Sequence, residues 1–284
     1  MKKLYQDRDW LYARYWDDGL SAKKIAKVVS VGATTIFRWM IRLDIERRDA
    51  VIHNSVEISQ ELREIIDGAL LGDWYVGQTS PIAASLQSSG KYQQFMVWFA
   101  SLVSSLGLEM SNVSHFICTS FEYGEYDSYA CCSKSYPELL SIRNTWYPNG
   151  KKIVPQDLVM TPTMALHWFI GDGCLSCRGD GRPRIVLNTQ GFTNGDIDRL
   201  VGMLVDNRIK AKRHVANRVI YIGTKASPAF LDYIGPCPPE VYNIYGYKFD
   251  LSRRGTIEEW RKEHNAYPSN TLPVPLGERA MEAT

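Results

Sequence analysis

The sequence predicts an α+β protein: a small all-α unit, then a helix-and-strand unit built twice in pseudo-symmetric halves. Three observations carry this. The first fifty residues read as a compact helical unit. Two apolar helical segments, IIDGALLGDWYVG (65–77) and MALHWFIGDGCLS (164–176), each run into Gly-Asp, with the aspartates about 100 positions apart. Each segment is followed by short β-type runs and a further helix. The expected boundaries are 1–50 for the helical unit, 51–58 for a linker, 59–150 and 151–264 for the two halves, and 265–284 for a disordered, proline-containing tail.

In the first unit, Trp10, Leu11, Tyr15 and Trp16 recur at helical spacing until Asp17-Asp18-Gly19. Ser21 is a good N-cap for a second helix carrying Ile25, Ala26 and Val29 on one face. After a break at Ser30-Val31-Gly32, a third helix runs from about Ala33 to Leu43. Its inward face holds Ile36, Trp39 and Met40, and its outward face Thr34, Thr35, Arg38 and Arg42. The spacing of Ala26, Val31 and Ile36 resembles a helix-turn-helix, similar to those of resolvases and sigma-factor-like regulators. Such a motif places the start of its second helix in the major groove. Ser30 and Gly32 stand where that motif has Gly then Ser, so Ser30 is expected at positive φ and the third helix without a side-chain cap.

The repeated pattern occupies about 59–145 and again about 161–235, most legibly in the second copy. There RPRIVLNTQ and RVIYIGT have strand composition and GDIDRLVGMLVDN is helical.

Composition narrows the function classes. Of the 284 residues, 45% are hydrophobic and 23% charged, as in ordinary globular proteins. No apolar run is long enough for a membrane span and no apolar stretch follows the N-terminal lysines. The expected location is therefore intracellular, cytoplasmic or in an organellar matrix, with no membrane partner and no secretion. Of six cysteines only Cys174 and Cys177 form a CxxC, with nothing nearby to complete a zinc site, so reduced thiols filling small gaps are expected. Charge is uneven: 11 Lys and Arg against 7 Asp and Glu over residues 1–50, 4 against 10 over 51–150, and 18 against 14 over 151–284. Basic ends suit a polyanion; the acidic middle does not.

The motif pair has a physical logic. Gly68 and Gly72 lie four apart and leave a flat stripe on one helix, and Gly171 precedes the aspartate of the other. Helices packed along these glycines would bring Asp73 and Asp172 together at their C-terminal ends. Two carboxylates there repel each other and face the negative ends of both helix dipoles. A divalent cation such as Mg²⁺ relieves this and takes carboxylate, water and phosphate oxygens.

On these motifs the chain resembles the double-motif, single-chain LAGLIDADG homing endonucleases over roughly residues 60–250. The resemblance implies a duplicated αββαββα fold whose motif helices form the interface between halves and whose sheets make a saddle over DNA. ELLSIRNTWYPNGKKIVPQDL is similar to the family's connection between halves. The implied metal site comprises Asp73 and Asp172 with Gly72 and Gly171 beside them, taking Mg²⁺ or another divalent cation such as Mn²⁺ or Ca²⁺. The implied catalytic set adds Lys248 from YGYKFD, Lys152 (or Lys151) from NGKKIVP, and Gln190 from LNTQGF as a water-positioning group. The first-half counterpart of Gln190 is Gln87 or Ser89, with the register open. Two positions depart from the family pattern. Trp74 replaces the usual glycine after the first aspartate, where it would fill the DNA-facing floor or distort the first metal site. His167 takes a helix-packing position that is small in the first copy. Any weak half is thus expected to be that of Asp73.

Alternating polar strand residues are the candidate DNA contacts. In the second half these are Arg182 with Arg184, Lys210 with Lys212, and Arg218 with Tyr221; in the first, Gln87, Ser88, Lys91 and Tyr92. Glu122, Glu125 and Asp127 either sit away from DNA or accept from cytosine amino groups. The reading is a monomeric, Mg²⁺-dependent, site-specific double-strand DNA endonuclease with no obligatory protein partner. A non-catalytic DNA-binding regulator and an intron RNA maturase are the alternatives. An intein is disfavoured by the initial Met and the lack of a terminal His-Asn.

Overall fold

The computed structural model describes residues 3–47, 54–120, 124–177 and 183–268. The chain divides into two compact units, Met1–Val51 and Ile52–Thr284.

In the first unit, α1 (Arg8–Tyr12) is capped by Asp7, whose carboxylate accepts from the Trp10 amide, and passes into a π-helical turn at Ala13–Asp17. Gly19, at φ +66°, reverses the chain. α2 (Ala22–Val28) starts at Ser21, whose hydroxyl accepts from Lys24 N. α3 (Ala33–Arg42) follows a tight turn in which Ser30 takes φ +53° and Gly32 gives no side-chain cap, both as the motif comparison predicts. Leu11, Ile25, Ala26, Ile36 and Met40 form the core, so α2 and α3 bury the faces their periodicity marks. Thr34, Arg38 and Arg42 are exposed.

The second unit contains the αββαββα order twice. The first copy is α4 (Gln60–Leu71), β1 (Tyr75–Ser80), β2 (Ala83–Gly90), α5 (Gln93–Ser105), β3 (Ser114–Ser120), β4 (Gly124–Cys132) and α6 (Pro137–Trp146). The second is α7 (Pro162–Asp172), β5 (Gly173–Cys177), β6 (Pro183–Asn188), α8 (Asn194–Asp206), β7 (Ala211–His214), β8 (Val219–Ile222) and α9 (Ser227–Ile234). Each copy makes a four-stranded antiparallel sheet, ordered β1-β2-β4-β3 and β5-β6-β8-β7. The α+β class and the duplication are thus present in the structure. One continuous apolar core unites both copies, centred on α4 and α7.

Segments outside the repeats are packed too. Val56, in the stretch expected as linker, is buried against this core, and Asn54 donates to the Ser135 carbonyl. After α9, a 3₁₀ turn at Pro239–Val241, α10 (Tyr242–Tyr245), a 3₁₀ turn at Gly246–Lys248 and α11 (Ile257–Glu263) pack against both halves, with Tyr245 on Phe95 of the first and Lys248 donating to Ile170 of the second. Arg253 donates to the Leu175 carbonyl, covering the free edge of β5, which would otherwise invite strand pairing. Ala266 is fully buried, so the packed chain runs past residue 264; residues 269–284 of the expected tail lie outside the described residues.

Candidate active site

α4 and α7 start on hydroxyl caps: Ser59 accepts from Leu62 N and Thr161 from Met164 N, while the Thr161 hydroxyl also donates to Glu64, linking the helices. From there they pack along their glycines. A Cβ at Gly68 would lie 2.4 Å from the Met164 carbonyl oxygen and 2.9 Å from the His167 Cβ. At Gly72 it would lie 3.5 Å from the Gly171 Cα, and at Gly171 3.6 Å from the Gly72 Cα. Backbone therefore meets backbone where the helices end, and Asp73 and Asp172 come side by side. Asp73 is exposed and Asp172 half-buried. Burial, then the Asp73 carboxylate beside it, push the Asp172 carboxyl up to about 7, against the pull of Lys152 and Lys248.

Each helix end is backed by a lysine from far along the chain. Lys152 Nζ donates to the Gly72 carbonyl at 3.0 Å and to that of Trp74 at 3.2 Å. Lys248 Nζ donates to the Ile170 carbonyl at 2.6 Å, with those of Phe169 and Gly171 at 3.4 and 3.5 Å. The carbonyls that end a helix lack intrahelical donors and carry its negative dipole end, so a cation there meets both needs. Burial lowers both lysines to about 8, with Asp73 and Asp172 acting the other way. Of the two candidates for the first half, it is Lys152 that reaches the site. Arg199 of α8 donates to the carbonyls of Val154 and Pro155, holding its loop.

Two further groups fix the aspartates. The Asp73 carbonyl accepts from the Ser88 hydroxyl at 3.3 Å and the Asp172 carbonyl from Asn188 Nδ2 at 3.0 Å. Asn188 is absent from the sequence-based set, and Ser88 appears there only as a base contact. A polar residue near the end of the second strand of each half was the available signal. Gln190 is exposed just after β6. Val76 pairs with Leu86 and Leu175 with Ile185, each pair starting three residues after an aspartate. On that register the position matching Gln190 is Lys91, not Gln87 or Ser89. Gln87 instead bridges the Tyr75 and Ser85 hydroxyls on the sheet.

Trp74 neither floors the site nor displaces it. It is buried, its ring stacked on Phe99 with centroids 4.0 Å apart. At the matching Gly173 a Cβ would lie 2.0 Å from the Phe169 ring. Leu70 and Trp74 in one half thus fill the space that Phe169 takes in the other. His167 packs over Gly68 and stacks on Trp98, 5.7 Å between ring centroids.

The donor set suits a hard divalent cation. No group of three or more His, Cys, Asp or Glu side chains arranged to hold a metal occurs among the described residues; a hard divalent cation on two carboxylates completes its shell with water and phosphate oxygens. A cation would also favour the ionised form of Asp172, which its surroundings otherwise oppose. The carbonyls of Gly72 and Gly171 already receive the lysines, Gly171 only at 3.5 Å. The cysteines are free, with Cys174 exposed.

Both sheets offer an open face. In the second, Arg184, Tyr221 and Lys212 share it, with the Arg184 guanidinium 4.0 Å from the Tyr221 ring centroid. At its outer edge Arg208, Lys210, Lys212 and Lys225 line a groove of about 610 Å³. Arg218 is held at φ +52° with its guanidinium on the Phe192 carbonyl. Arg182 lies outside the described residues, as does Glu122. The first open face is neutral: Tyr75, Gln87, Ser89, Ser114 and Phe116 surround a hollow of about 320 Å³. Asp127 alternates to the side of buried Tyr129 and pairs with His115 at 2.7 Å, and Glu125 shares that phase. These two acids point away from the open face. Lys91 lies 5.0 Å from the Tyr92 ring centroid.

A family model for the LAGLIDADG DNA endonuclease family matches residues 63–230. The chain is 28% identical over 244 residues to an uncharacterized protein of Methanocaldococcus jannaschii, covering 82% of this chain and 92% of that protein. It is 23% identical over 223 residues to a cytochrome b mRNA maturase of Debaryomyces hansenii, covering 74% and 83%. Among solved structures, the homing endonuclease I-WcaI bound to its DNA recognition sequence matches with a TM-score of 0.60 at 20% identity, over 72% of this chain and 96% of that one. That likeness speaks to the fold.

Proposed function

This chain belongs to the LAGLIDADG DNA endonuclease family, and we propose that it is a homing endonuclease that cuts both strands of a specific DNA site with divalent cations. The observation that carries the reading is the meeting of Asp73 and Asp172 at two glycine-packed helix ends, one backed by half-buried Lys152 and the other by buried Lys248. Both motif helices lie in one chain, so the enzyme acts as a monomer. No helix among the described residues is long and apolar enough to cross a membrane, and we place the enzyme inside the cell, in cytoplasm or organellar matrix.

Mg²⁺, or Mn²⁺ or Ca²⁺ in the same place, when bound by Asp73 and Asp172 would neutralise phosphate charge and acidify a water. The chain's own residues do the rest. Ser88 and Asn188 fix the backbone of the two aspartates. Lys152 and Lys248, largely cationic at neutral pH, offset the negative helix ends so that both carboxylates can ionise beside a phosphodiester. Gln190, at the rim, orients water. Arg184, Lys212 and Tyr221 on one open face, with Gln87 and Lys91 on the other half, hold the duplex across the helix ends.

The test is incubation with Mg²⁺ and duplex DNA from an allele that lacks the insertion. A discrete double-strand cut is expected, abolished by chelation and by Asp73→Asn or Asp172→Asn while DNA binding persists. Binding without cutting, unchanged by either substitution, would leave the regulator reading in its place. The maturase relative favours a second reading, assistance to intron RNA splicing; faster splicing of an intron RNA that the chain binds specifically, with no DNA cut, would establish it.

A further inference from the structure

The family match begins at residue 63 and leaves the first unit without a task. That unit carries a concentrated charge feature. Residues 22–42, spanning α2 and α3, hold five cations and no acid, whereas Asp7, Asp9, Asp17, Asp18, Asp44 and Glu46 all lie on the flanking segments.

The exposed side of α3 is a stripe: Thr34, Arg38, Ile41 and Arg42 follow one another at helical spacing along its ten residues. Ile41 is 69% exposed, a large aliphatic side chain in water on the same helix surface as Arg38. The Arg42 guanidinium lies 5.2 Å from the Trp39 ring centroid, which limits its freedom and keeps it on the surface. The opposite side of α3 is anchored by fully buried Ile36 and Met40, so the stripe is rigidly presented. Lys23, Lys24 and Lys27 of α2 are exposed as well.

We infer that the first unit is a second DNA reader, separate from the nuclease unit, with α3 in the major groove. A ten-residue helix is about 15 Å long, and a B-form major groove about 12 Å wide admits it. Arginine forks suit guanine edges and an exposed aliphatic group suits a thymine methyl, so the stripe reads a short block containing both. The lysines of α2 hold phosphates without regard to sequence. A-form RNA has a major groove too deep and narrow for this stripe, which favours DNA. The inference rests on the proposed action on DNA only in choosing a duplex as ligand.

The experiment is selection from a pool of duplexes carrying a long randomised segment, using the full chain without Mg²⁺ and its Arg38→Ala/Arg42→Ala variant. The full chain should enrich two blocks, a long one and a short one with a guanine and a thymine. The variant should enrich only the long block, which also shows that it is folded, and bind the two-block duplex about ten- to a hundredfold more weakly. Arg38→Lys should keep the salt dependence but relax the choice at one base pair. Identical blocks and affinities for all three chains, or equal competition by an RNA duplex of the same sequence, overturns the inference. A long block that stays uncut when Mg²⁺ is then added to the full chain, with the short block still enriched, would overturn the nuclease reading and leave this one standing.

Discussion

At the scale of single residues, His167 shows how a side chain out of place in a motif is accommodated. Its ring sits over Gly68, between Trp98 and Phe99, and burial lowers it to about 4 from an ordinary value near 6.5. The folded protein therefore keeps it neutral where the unfolded chain protonates it. With a depressed folded value, its contribution is complete above about pH 6.5 and is lost as pH falls towards 4. Between pH 7 and pH 5 this amounts to about 2 kcal/mol. Denaturant titrations at both pH values should show that loss in the wild type and a smaller one in His167→Gln. Equal slopes in the two proteins would remove His167 as the source.

At the scale of elements, the packing of α4 on α7 sets the distance between the aspartates. Gly68→Ala would drive a methyl group into the Met164 carbonyl oxygen, 2.4 Å away, and part the helices. A loss of about 1–3 kcal/mol in stability is expected, with cleavage lost well before folding. Gly202 in α8 has nothing within 4 Å of its added Cβ, so Gly202→Ala should raise stability by up to about 1 kcal/mol and leave cleavage intact. Thermal melts and a cleavage assay on the pair check this. The helices were legible in the sequence because glycine spacing marks where backbones can touch. The space next to each aspartate was not: Trp74 fills it from just after its aspartate and Phe169 from three residues before its own, and only packing reveals that they do the same job.

At the scale of the whole molecule, charge sits asymmetrically on the two open faces, basic on the second and neutral on the first. The groove at the outer edge of the second sheet gathers four cations, Arg208, Lys210, Lys212 and Lys225. Lys210→Ala/Lys225→Ala should lower the slope of log affinity against log salt by about 1.8, since each phosphate contact contributes about 0.9. The cleavage position should stay where it is. Affinity measured over a range of salt concentrations tests this, and an unchanged slope would take the groove out of the DNA path.

The resemblances to known families supplied the αββαββα order and the positive φ of Ser30, while the sequence by itself determined the twofold helix-then-strands pattern, the Gly-Asp helix pair and the inward faces of α2 and α3. The latter three follow from local rules: helical and strand periodicity, the freedom of glycine, and cap chemistry. The tertiary structure decided the use of Lys152, the equivalence of Gln190 with Lys91, the support given by Ser88 and Asn188, the inward turn of Trp74 and the side on which Asp127 and Glu125 lie. Each of these depends on strand register or on loops returning from about 80 residues away. A slip of one residue in pairing would exchange the two faces of a strand, and no local pattern in a polar strand excludes it.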